Sequence, residues 1–150
     1  MVILEQMRDA APALGLSFTA VEARGADDFA GAFAILARER PDAVLLTSDP
    51  LHHTHMQRII DFLSQNQLPG MFQTRSDAAA GGMMSYGAIF PDLFRQGASF
   101  VHKILQGTKP ADIPVQTPQR YELVINLKTA KAIGVTISAS VLLRADAAIE

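Results

Sequence analysis

Ala43-Val-Leu-Leu-Thr47, followed by the loop Ser48-Asp-Pro-Leu-His-His53 and a helical stripe through Met56, Ile59, Ile60 and Leu63, decides the fold class of this chain. A short apolar run bounded by turn formers is the pattern of a strand buried in a parallel sheet. The stripe repeats at i, i+3, i+4 and i+7 and predicts an amphipathic helix from about Thr54 to Asn66. The same alternation extends in both directions. Upstream, Ile3, Leu4, Met7, Ala10, Ala11 and Leu14 lie at helical spacing with Gly15 as C-cap, and Leu16-Ser-Phe-Thr-Ala-Val21 alternates as a strand does. Asp27 or Asp28 then caps a helix through Phe29, Ala32, Phe33, Leu36 and Ala37 that stops before Pro41.

Downstream, Pro69 closes a loop before a strand at Gly70-Met-Phe-Gln73. Ala78 to Gly82 reads as a flexible stretch of small residues, and Met83-Met-Ser-Tyr86 as extended chain. Pro91 suits the first turn of a helix carrying Leu93, Phe94, Ala98, Val101, Ile104 and Leu105, ended by Gly107. Three prolines make Lys109 to Pro118 irregular. Tyr121-Glu-Leu-Val-Ile125 predicts a strand, Asn126 caps a short helix stopped at Gly134, and the tail with Val141, Leu142, Leu143 and Ile149 predicts one further helix. Strands alternating with helices give an α/β layered fold with a mainly parallel sheet.

The 150 residues are enough for a single domain with a sizeable core, and 49% hydrophobic with 19% charged residues is the balance of a soluble globular protein. A net charge of -2, with Lys and Arg scattered, gives no basic patch for nucleic acid. The absence of cysteine excludes disulfides, thiolate metal sites and cysteine nucleophiles. No apolar run approaches the roughly 18 residues that span a bilayer. The start, Met1 to Leu16, has no basic n-region, and Glu5, Arg8 and Asp9 interrupt any apolar core, so it does not read as a secretory signal.

In an open parallel sheet, ligands bind beyond the carboxyl ends of the strands. Three stretches fall there. Asp49 could receive a ligand ammonium, with Ser48 adding a hydroxyl, or could cap the next helix; the two roles are compatible. Arg75 could clamp a carboxylate bidentately or be a solvated surface arginine. Gly81-Gly-Met-Met-Ser-Tyr-Gly87 could bring backbone close to another surface or flex, and Tyr86 could stack on a ligand or pack in the core. His52, His53 and His55 crowd one junction, but only His52 and His55 have helix-face spacing and no third ligand is positioned, so no metal site and no cofactor are expected. Gly-x-Ser-x-Gly, the P-loop and Gly-x-Gly-x-x-Gly are all missing, which argues against an enzyme.

Several stretches fall in an order that resembles one family. They are Gly81-Gly-Met-Met-Ser-Tyr-Gly87, Pro91-Asp-Leu-Phe-Arg95, the run from Val101 to Val115, Tyr121-Glu-Leu-Val-Ile-Asn126 continuing to Gly134, and Leu142-Leu-Arg-Ala-Asp146. Together they are similar to the C-terminal region of ABC transporter substrate-binding proteins related to tryptophan- and tyrosine-binding lipoproteins. The resemblance implies an α/β/α lobe of a type I periplasmic binding protein with the N-terminal lobe missing. Residues 1–80 would be the C-terminal lobe, 81–120 a hinge crossing and a helix packed on the absent lobe, and 121–150 the final strand and helices. It further implies a small-molecule ligand such as an amino acid held between lobes, a partner permease, and a periplasmic location. Ser48, Asp49 and Arg75 would face the cleft, and Ser85 and Tyr86 would lie at the crossing. The surface left by the absent lobe would favour homo-oligomers. The alternative is a cytosolic sensor or dimerisation module that uses the same half-fold without transport.

Overall fold

A computed structural model describes residues 2–150 of the chain. The chain divides into two compact units, Met1–Arg40 and Pro41–Glu150.

The first unit holds α1 (Val2–Ala13) and α2 (Asp28–Glu39). Gly15 follows α1 at φ +69, a left-handed position that favours glycine, and Leu16 N–H donates to the Ala11 carbonyl at 2.9 Å. The strand expected over 16–21 does not form. Its alternation survives, with Phe18 and Ala20 half-buried between exposed Ser17 and Thr19, but a strand also needs a neighbour to exchange backbone hydrogen bonds with. None of the described strands pairs with it. Asp27 occupies the N-cap of α2 without a side-chain hydrogen bond. Asp28 reaches backwards instead, its Oδ2 accepting from the N–H groups of Arg24 (2.8 Å) and Gly25 (3.0 Å). Phe29 and Ala32 are the buried residues of α2, and the Phe29 and Phe33 rings lie 5.8 Å apart. Arg40, at φ 46, ends the helix and returns its N–H to the Leu36 carbonyl, since a residue before proline is driven out of the helical region.

The second unit is built on a five-stranded sheet in the order β1-β2-β3-β4-β5. The strands are β1 (Val44–Leu45), β2 (Gly70–Phe72), β3 (Met84–Ala88), β4 (Tyr121–Asn126) and β5 (Ala147–Ile149). β1, β2 and β3 run parallel, β4 is antiparallel to β3, and β5 is parallel to β4. The α/β fold with a largely parallel sheet is therefore present, with one antiparallel joint. Phe72, Ser85, Val124 and Ile125 are its most deeply buried side chains.

Four local expectations are corrected. β1 is shorter than the apolar run that announced it, and it lies at the sheet margin, where Leu45 keeps 49% of its surface while Leu46 is buried. The helix expected from Thr54 begins earlier and in two pieces, α3 (Pro50–Thr54) and α4 (Met56–Gln65), because Asp49 caps a turn that Pro50 opens. Ile59, Ile60 and Leu63 of the stripe are buried as expected. Residues 75–79 form α5 (Arg75–Ala79), where a flexible stretch was expected from Ala78. The Thr74 side chain accepts from Asp77 N–H, and the Asp77 carboxylate accepts from Thr74 N–H, a reciprocal cap that overrides the small-residue composition. The tail makes only a four-residue helix, α8 (Ala139–Leu142), before β5. Asp146 draws that end into the sheet, donating its N–H to the Leu123 carbonyl and accepting Leu123 N–H on Oδ2.

Two further helices complete the unit. α6 (Phe90–Leu105) starts on Pro91 and has no buried residue; Phe94 and Leu105 remain 77% and 81% exposed. The connection after it contains a 3-10 turn (Pro110–Asp112) and is tied back to α6 by Gln96 to Gln116 and by Arg120 to Asp92 at 3.1 Å. α7 (Leu127–Ala132) follows β4 directly. Asn126, 5% exposed, caps it by accepting Thr129 N–H on Oδ1 (3.0 Å) while its Nδ2 donates to the Ala78 carbonyl (2.8 Å).

Asn126→Ala should destabilise the protein by about 2–4 kcal/mol in urea unfolding, through a lost cap and an orphaned buried carbonyl. Asn126→Asp keeps the cap but turns a carboxylate on the Ala78 carbonyl, and is expected to be at least as damaging. Gly87 supplies a second test, because a Cβ there would lie 1.9 Å from the Gln73 carbonyl oxygen, a backbone atom. Gly87→Ala should therefore cost about 1–3 kcal/mol by forcing β3 away from the β2 exit, and amide exchange at Gln73 and Thr74 should accelerate.

Candidate functional site

Three parallel strands present their carboxyl ends along one margin of the sheet. Because β4 runs the other way, its first residues join them there. Ser48-Asp49, Gln73-Thr-Arg75, Tyr86-Gly87 and Tyr121-Glu122 are consequently gathered from segments far apart in sequence.

Gln73 fixes the first part of this margin. Its Nε2 donates to the Leu46 carbonyl at 2.8 Å, joining the exits of β1 and β2. Asp49 accepts Leu51 N–H on Oδ1 at 2.8 Å, so the capping role is real, and its second oxygen has no protein partner among the described residues. Ser48 and Asp49 are both exposed. His52 sits behind them with Nδ1 3.0 Å from the Thr47 carbonyl. Among the described residues no group of three or more His, Asp or Glu side chains could hold a metal.

Arg75 is not a lone surface arginine. Its Nε donates to Glu122 Oε2 at 3.1 Å, across 47 residues of sequence; the Arg75 side chain is 55% exposed and that of Glu122 only 17%. An ion pair with one partner in water adds little to stability, but it fixes where the guanidinium sits. Its two terminal nitrogens have no protein partner among the described residues.

Tyr86 neither packs in the core nor stands bare. It is 54% exposed and stacks on Tyr121, with ring centroids 5.8 Å apart and planes at 20°. Tyr86 opposes Leu123 and Ala88 opposes Tyr121, which makes the two tyrosines diagonal neighbours on one sheet face. Ser85 differs from the other candidates. It is 1% exposed, wedged between Phe72 and Val124 in the ladder, and its Oγ has no hydrogen-bond partner among the described residues.

The margin thus carries Ser48, Asp49 and Arg75, sets Tyr86 with Tyr121 on the face of the sheet away from Glu122, and leaves Ser85 inside the sheet. Sequence reasoning did not single out Gln73, Tyr121 or Glu122. The period-2 alternation of β4 does place Tyr121 and Leu123 on one face and Glu122 on the other. Only the antiparallel register, Gly87 opposite Glu122, brings that carboxylate to Arg75.

The family model for ABC transporter substrate-binding proteins matches residues 1–149. No curated protein matches the chain. Among solved structures, a conserved domain protein from Vibrio cholerae O1 biovar El Tor strain N16961 is 26% identical with a TM-score of 0.89, over 98% of this chain and 49% of that one. An ABC domain from Streptococcus pneumonia in complex with L-Trp is 24% identical with a TM-score of 0.89, over 99% and 51%. The ligand-free, open form of a substrate-binding protein with adhesive properties from Clostridium difficile is 16% identical with a TM-score of 0.66, over 99% and 49%. The chain therefore spans about half the length of the solved proteins it matches. Its sheet margin and the family match over nearly all its residues lead to one conclusion: the chain belongs to the ABC transporter substrate-binding protein family.

Proposed function

We propose that this chain is the C-terminal half of a solute receptor for an ABC importer, acting outside the cytoplasm and delivering its ligand to a membrane permease. The observation that carries the reading is an exposed carboxylate (Asp49) and a half-exposed guanidinium (Arg75) just past the exits of the neighbouring parallel strands β1 and β2. Opposite charges past neighbouring strand exits suit a zwitterionic organic ligand, an amino acid above all. L-Trp in the Streptococcus pneumonia structure, which shares the fold, supports that class. Ser48 adds a hydroxyl beside Asp49. Ser85 would enter only if lobe movement opened the β3 crossing. The reading is capture without chemistry.

The rest of the reading concerns α6. Its face of Phe90, Phe94, Val101 and Leu105 is exposed along the helix, and the solved relatives are about twice as long as this chain. We assign that face to contact with a second lobe, with residues 81–120 as the crossing region. The same face favours the second reading, a dimerisation module, if the chain acts by itself.

In the native protein, isothermal titration with the twenty standard amino acids should find a ligand. Asp49→Ala and Arg75→Met should each weaken it by about 2 kcal/mol or more, the cost of removing a charged hydrogen bond. Unchanged affinity in both variants would remove these residues from the site. For the helix, the 150-residue chain alone should self-associate in light scattering, and Phe94→Glu with Leu105→Glu should return it to a monomer. A monomeric parent chain would count against an interface on α6.

A further inference from the structure

We infer that Glu122 is a positioning residue that holds Arg75 for a ligand carboxylate, an inference that rests on the proposed receptor site. Glu122 sits on β4, opposite Gly87 in the ladder, with only 17% of its side chain exposed. Arg75 opens α5 and is more than half exposed. The pair is therefore asymmetric: a carboxylate fixed on the sheet holds a guanidinium that leans into solvent.

The nitrogen in use sets the consequence. Glu122 takes Nε at 3.1 Å. That leaves Nη1 and Nη2, two parallel donors that match the two oxygens of a carboxylate. An arginine tethered through Nε has lost much of its rotamer freedom before a ligand arrives, so less entropy remains to be lost on binding. The negative charge of Glu122 also keeps the margin from carrying an unpaired cation when the site is empty. A purely stabilising role fits poorly, since an ion pair whose cation is half in water contributes little to folding. The surroundings are consistent with a fixed support. Gln73 holds the β2 exit on the Leu46 carbonyl, Gly87 allows β3 to approach that exit, and the reciprocal cap between Thr74 and Asp77 fixes the start of α5. The ligand class this selects is one with a free carboxylate group.

The test uses the native protein and compares the tightest-binding standard amino acid with its decarboxylated amine, for wild type, Glu122→Ala, Glu122→Gln, Arg75→Met and the Arg75→Met/Glu122→Ala double variant. Calorimetry gives the acid-to-amine affinity ratio, and thermal unfolding confirms that each variant is folded. Glu122→Ala should lower the ratio about tenfold by releasing the arginine, while affinity for the amine stays within about twofold. Glu122→Gln, which keeps an acceptor for Nε, should restore most of the ratio. In the Arg75→Met background, Glu122→Ala should have no further effect. If Arg75→Met abolishes the ratio and Glu122→Ala leaves it intact, the positioning role is overturned and the receptor site stands. Tighter acid binding by Glu122→Ala would also overturn it, showing that Glu122 competes with the ligand. No effect of Arg75→Met, or no binding of any amino acid, overturns the site reading and this inference together.

Discussion

The carboxamide of Asn126 joins segments that no β-ladder connects. One end accepts Thr129 N–H and starts α7, the other donates to the Ala78 carbonyl at the end of α5, and the backbone N–H of the same residue reaches the Met83 carbonyl before β3. Thr129 closes the loop by donating its hydroxyl to the Gly81 carbonyl at 3.0 Å. Residues 78–82 are all alanine or glycine and would otherwise be free to wander. A buried amide that uses both its donor and its acceptor is sensitive to any substitution, because each lost partner leaves a polar group in apolar surroundings. The consequence reaches the functional margin, since α5 begins with Arg75 and the segment it leads into becomes β3.

The same knot shows where the sequence was legible. Asn126 reads as a helix cap from its place before Leu127, and it is one. Its second bond, to a carbonyl 48 residues earlier, has no local signature. Local rules therefore located the strands at 70–72, 84–88 and 121–126 and the helix at 90–105. They misread the places where a distant partner decides. Leu16 to Val21 alternates correctly but lacks a ladder neighbour, and residues 147–149 look like the end of a helix yet pair with β4. Gly81 and Gly82 suggested looseness, whereas Thr74 and Asp77, only three residues apart, carried a cap signal that outweighed it.

For the site, position at the carboxyl ends of strands led to Ser48, Asp49 and Arg75, whose segments follow neighbouring parallel strands. It could not supply their partners. Tyr121 and Glu122 reach the margin because β4 reverses direction, and strand direction is not written in alternation. Ser85 illustrates the opposite error: flanked by Met84 and Tyr86, it belongs to the other face of the strand, where Phe72 and Val124 enclose it. A one-residue step along a strand exchanges the faces, so neighbouring residues of one motif can have opposite fates.

The distribution of rigidity separates this margin from α6. The residues proposed to meet ligand rest on sheet ends fixed by Gln73, Gly87, the Thr74–Asp77 cap and Asn126, all through hydrogen bonds or close backbone contact. α6, by contrast, keeps Phe90, Phe94, Val101, Ile104 and Leu105 exposed and is tied by Asp92 to Arg120 and Gln96 to Gln116 in its first turns. A two-lobe receptor needs this combination. In such a receptor, groups that recognise ligand have to be in place before it arrives, while an element that meets a second lobe carries its own apolar surface, the part proposed for α6.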